Sequence, residues 1–103
     1  MTQVMNCTSL DEVRICIDQL DRQLLALIAQ RGAYVKQAAR FKKTAAEVAA
    51  PQRVAQVIAK VKTLAGELGA DPAVAEATWR AMIAAFIEAE RTEQAVLHPP
   101  SPH

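Results

Sequence analysis

An all-α fold of three helices with a long first helix is predicted by three features of this 103-residue chain. Leu10, Val13, Ile17, Leu20, Leu24, Leu27, Arg31, Tyr34, Ala38 and Phe41 follow one another at alternating steps of 3 and 4, the seam of a helix packed on another helix. Helix-breaking chemistry is concentrated at Pro51 and over Gly69–Pro72, which divides the chain into three helical stretches. No segment alternates with the period of a strand, and no internal repeat is found.

Helix one is expected from Leu10 to about Lys42. In "TSLDE", Ser9 suits an N-cap and Glu12 the third helical position, the pairing of a capping box. Gly32 costs only ~1 kcal/mol in a helix interior, so the seam carries through it. "KTAAEVAAP" breaks the pattern, and residues 43–50 read as a loop. Helix two starts at Pro51, a residue suited to a first turn, and is expected to bury Val54, Val57, Ile58, Val61, Leu64 and Leu68 before Gly69 stops it. Helix three follows Asp71 as N-cap and Pro72. Its inner face runs Trp79, Ile83, Phe86, Ile87 and Glu90, and it is expected to fray over Glu93–Leu97. The domain reading is therefore a lead over 1–8, a helical domain over 9–95 and a disordered proline-rich tail over 96–103.

Composition narrows the function classes. The chain is 51% hydrophobic and 4% aromatic, as expected of one small domain with an aliphatic core. A net charge of +1 gives no reason to expect nucleic acid or an acidic membrane as partner. No apolar run approaches the ~18 residues of a membrane span, and the N-terminus lacks a signal-peptide pattern, so the expected location is the cytoplasm. Cys7 and Cys16 make neither a metal quartet nor a disulfide framework and are read as reduced thiols. His98 and His103 fall in the tail, so neither a catalytic histidine nor a metal site is expected, and no cofactor is called for.

A first helix roughly 50 Å long, at 1.5 Å per residue, outreaches the other two and would leave half its seam in water. A second copy is the economical cover, which predicts a homodimer. Charges then stand where a purely structural helix would not want them: Arg14 beside the seam, Arg31 on it, Lys42 at the end of helix one, Arg53 in the first turn of helix two and Glu90 on the inner face of helix three. They can be read as a buried Arg31–Glu90 ion pair with the rest solvated, or as a pocket for a small dianion or trianion gripped by guanidinium forks. In the pocket reading, Arg14 and Arg31 are 17 residues apart on one helix, roughly 25 Å, so they can serve one small ligand only from different subunits. With no nucleophile–base pair and no glycine-rich loop in the sequence, the remaining chemistry is electrostatic and conformational catalysis on an anion.

The segments "VRICIDQLDRQLLALIAQR", "YVKQAARFKK", "PQRVA" and "MIAAFIEAE", in that order, resemble the all-α (AroQ-class) chorismate mutases and the related isochorismate-pyruvate lyases over roughly Cys7 to Glu93. The resemblance implies an intertwined homodimer of three-helix chains. It also implies that Arg14 is donated from the partner subunit and that Arg31 grips a substrate carboxylate. Lys42 then hydrogen-bonds the ether oxygen of the enolpyruvyl group, with Lys43 the candidate if the register slips by one. Arg53 matches the arginine early in helix two, Ile87 is expected among the substrate-binding residues, and Glu90 stands at the second donor to the ether oxygen. Many mutases carry a glutamate after the helix-two arginine and an acid three residues before it, where this chain has Val54 and Ala50. Those two changes, the opening "CTSL" and the loop after Lys42 resemble the lyase branch; Glu90 points to the mutases.

The expected function is a cofactor-free chorismate mutase converting chorismate to prephenate, with an isochorismate-pyruvate lyase forming salicylate and pyruvate as the alternative. An alternative of another class is a non-enzymatic helical dimer that docks an acidic partner through the face Lys36, Arg40 and Lys43, spaced i, i+4, i+7.

Overall fold

The computed structural model describes residues 4–97. It contains α1 (Leu10–Ala39), a short α2 (Ala45–Ala49), α3 (Pro51–Leu68) and α4 (Pro72–Leu97), and no strand among the described residues. The chain divides into two compact units, one through Ala33 and one from Tyr34 onward. None of the described helices is long and apolar enough to cross a membrane.

The first unit is the N-terminal lead and most of α1. Ser9 caps the helix, its Oγ accepting from the Glu12 N–H at 3.1 Å. The Glu12 carboxylate reaches back one residue further than expected, accepting from the Thr8 N–H at 2.8 Å and from the Thr8 hydroxyl. Such caps contribute about 1 kcal/mol each. The predicted seam forms on a continuous helix but packs against no other element of its unit: Leu20, Leu24 and Leu27 are each more than half exposed.

The second unit holds the described core. α3 and α4 are joined by a short turn and pack together as a helical hairpin, and α2 packs on α4. Gly69 ends α3 at φ 80°, in the left-handed region that only glycine adopts without a Cβ penalty, and the Ala70 N–H returns to the Ala65 carbonyl at 2.8 Å. Asp71 caps α4 by accepting from the Ala73 N–H at 2.9 Å. The described buried positions are Ala39, Val48, Ile58, Ala65, Ile83 and Glu90. Lys62 and Arg80 both pair with Glu76, at 3.2 and 2.8 Å, and the first of these contacts ties α3 to α4.

Four expectations are corrected. α1 stops at Ala39 instead of Lys42, and the N–H groups of Arg40, Phe41 and Lys42 turn back to carbonyls three residues earlier. The cause lies just downstream, where the Lys43 N–H is captured by the Glu47 carboxylate at 2.7 Å. Residues 43–50 are accordingly no plain loop: Thr44 caps α2 and accepts from the Glu47 N–H at 3.1 Å. Leu64 and Leu68 are exposed, and Ala65 takes the inward position, because the stripe of α3 turns away from them. α4 runs through Leu97 without the expected fraying; the rest of the expected tail, with His98 and His103, lies outside the described residues.

Candidate active site

The second unit brings two of the six candidate residues into contact. Beyond the end of α1 the chain passes through Lys42 into the Thr44 cap of α2, and Val48, 1% exposed, anchors that short helix in the core. Lys42 is thus held between a helix end and a capped helix start. Its Nζ lies 2.6 Å from Oε2 of Glu90 on α4. Glu90 is the one described charged residue that is buried, one turn beyond Phe86 and two turns beyond Ile83 on the same face.

The geometry of the pair is incomplete. Oε2 is buried, and among the described residues the Lys42 ammonium is its partner by charge with no further hydrogen bond to it. Taking a charge such as that of Glu90 out of water costs several kcal/mol, and buried pairs add little net stability compared with apolar residues of the same size. A buried carboxylate left short of hydrogen bonds therefore asks for an explanation other than stability. Lys42 keeps 28% of its side chain accessible, which leaves the ammonium reachable from solvent.

The other candidates are placed as follows. Ile87 is half-buried on α4, one turn before Arg91 and just ahead of Glu90. Arg53 is exposed in the first turn of α3, and its guanidinium has no ion pair among the described residues. Arg14 and Arg31 belong to the other unit. The helix between them is unbroken, which holds them roughly 25 Å apart within one chain, as the sequence predicts. Arg14 is exposed and Arg31 half-buried. Among the described residues, no group of three or more His, Cys, Asp or Glu side chains could hold a metal ion.

The face expected to dock an acidic partner does not lie on one helix. Lys36 is on α1, but Arg40 and Lys43 lie beyond its end, so the spacing i, i+4, i+7 no longer describes one helical surface. The Thr44–Glu47 cap was missed in the sequence although "TAAE" is a capping-box pattern.

Residues 13–91 match the family described as chorismate mutase type II. This chain belongs to that family. The matched span begins one residue before Arg14 and ends one after Glu90, so a chorismate mutase type II segment contains all six candidate residues. The chain is also 34% identical over 82 residues to an isochorismate pyruvate lyase from Pseudomonas aeruginosa, a similarity that covers 80% of this chain and 81% of that relative. The type II family membership agrees with the all-helical fold and with the resemblance carried by the sequence motifs.

Proposed function

We propose that the chain is a chorismate mutase, converting chorismate to prephenate at two identical sites of a homodimer. The observation that carries this reading is the Lys42 ammonium 2.6 Å from the buried, incompletely hydrogen-bonded carboxyl of Glu90. In the rearrangement the ether C–O bond breaks while a C–C bond forms between the enolpyruvyl methylene and the ring, and negative charge grows on the ether oxygen. Lys42 donates to that oxygen from one side. Glu90, once protonated, donates from the other. Such donors act on charge that develops in the transition state, where each is worth about 10²–10³ in turnover. Arg31 and Arg53 grip the substrate's carboxylates, Ile87 packs on its apolar face, and Arg14 arrives from the partner subunit. The exposed seam of α1 supports the dimer: each leucine left in water forgoes roughly 1.5–3 kcal/mol of burial.

A second reading is favoured by the lyase relative and by Val54 and Ala50, which stand where many mutases carry acids. In it the same C–O bond of isochorismate breaks, hydrogen passes from the ring to the methylene, and salicylate and pyruvate leave. Both reactions place the same demand on Lys42 and Glu90. Incubating the purified chain with each substrate and measuring prephenate, salicylate and pyruvate separates them. Prephenate from chorismate as the faster reaction supports the mutase, salicylate with pyruvate as the faster reaction supports the lyase, and no product from either removes both.

A further inference from the structure

Cys7 and Cys16 take no part in the proposed chemistry, yet the fold brings them together within the first unit. Cys7 lies in the lead and Cys16 in the second turn of α1, and their Sγ atoms are 3.9 Å apart in a thiol–thiol hydrogen bond, both half-buried and both reduced. The approach is built into the chain: the neighbour of Cys7, Thr8, is fastened to Glu12 through its N–H and its hydroxyl, which lays the lead against the helix. A disulfide requires about 2.05 Å between sulfurs, so roughly 2 Å of closure is needed, and Cys7 sits ahead of the first helical residue, where the backbone can supply it.

We propose that Cys7 and Cys16 form a redox-active dithiol that a small disulfide such as oxidised glutathione converts to an intramolecular disulfide, clipping the N-terminal lead to α1. One cysteine thiolate attacks a glutathione sulfur, the S–S bond of glutathione breaks, and the first glutathione leaves as its thiolate. The second cysteine thiolate then attacks the bound sulfur of the mixed disulfide and expels the second glutathione. Two electrons pass from the cysteine pair to glutathione, and the two thiol protons go to the departing thiolates. Burial, then the hydrogen bond and charge of Cys16, push the Cys7 thiol above its usual range, so closure accelerates as pH rises above neutrality.

The test treats the full reduced chain with oxidised glutathione and follows intact mass, a non-reducing gel and a peptide map. The expected product has lost two hydrogens, runs as a single chain and yields a Cys7–Cys16 cross-linked peptide. Cys7→Ser and Cys16→Ser should each stop at a stable glutathione adduct, released at least about tenfold more slowly than the adduct of the unaltered chain resolves. A lasting adduct on the unaltered chain, a disulfide joining two chains, or thiols that remain reduced would overturn the proposal.

Discussion

At the scale of single residues, the contact between Lys42 and Glu90 makes assignments that can be tested side chain by side chain. Lys42→Ala is expected to lower kcat by on the order of 10² with a much smaller change in KM, because the ether oxygen gains its charge only as the bond breaks. Lys43→Ala should fall far short of that, since it is Lys42 that reaches Glu90; steady-state kinetics on both variants shows which lysine acts, and equal losses would refute the assignment. Glu90 is proposed to donate a hydrogen bond to the same ether oxygen from its place beside Lys42. Glu90→Gln, whose amide supplies an N–H donor of the same shape, should keep most of the activity, whereas Glu90→Ala should lower kcat by on the order of 10² in steady-state kinetics. A glutamine variant that folds normally but is inactive would leave Glu90 as the structural partner of Lys42.

At the scale of elements, Lys42 owes its position to a helix too short to be noticed as one. The Thr44–Glu47 cap ends α1 early and starts α2, so it sets the path of the backbone on which Lys42 is strung. Glu47→Ala should cut kcat several-fold while costing about 1 kcal/mol of stability, and Glu47→Gln, which still accepts from the Lys43 N–H, should restore most of both. Unchanged turnover in the alanine variant would detach α2 from catalysis. The tie between α3 and α4 gives a pH prediction. The Arg80 hydrogen bond first, and then the Lys62 hydrogen bond and charge, hold the Glu76 carboxyl below its usual value of 4.5. A group lowered on folding stabilises above its unfolded value and loses that contribution as pH falls through the folded one. Glu76→Gln should therefore destabilise the chain at neutral pH and flatten the acid limb of its unfolding curve below about pH 4.5; parallel limbs in denaturant titrations would refute it.

Legibility also divides by element. Ser9, Gly69, Asp71 and the Trp79–Glu90 face were readable because caps and periodicity are local signals. The end of α1 was not, because the apolar steps continue to Phe41 while a side chain four residues beyond Lys43 decides the backbone. The Lys42–Glu90 contact joins residues far apart in sequence, and the resemblance alone set the two side by side, as donors to one ether oxygen, where the residues by themselves offered an Arg31–Glu90 pair. The approach of Cys7 to Cys16 depends on the path of the lead, which composition does not encode.

At the scale of the whole molecule, the governing feature is a first unit whose one helix has no other element of that unit to pack against among the described residues. If the homodimer covers that helix and shares its sites, Arg14→Ala and Arg31→Ala chains should each be nearly inactive, and equal mixing should restore about one quarter of the unaltered activity, since half the dimers carry one intact site. Absence of recovery, with mixing verified by mass, would defeat donation across subunits. The same helix has a kinetic consequence. If the stripe is buried by a second copy, the last stage of folding is a collision, so the recovery of activity after dilution from denaturant should be second order. A tenfold rise in chain concentration is expected to shorten the half-time by about tenfold, until a unimolecular step takes over. Scarce chains would then wait, partly folded and with their leucines in water, for a partner to arrive.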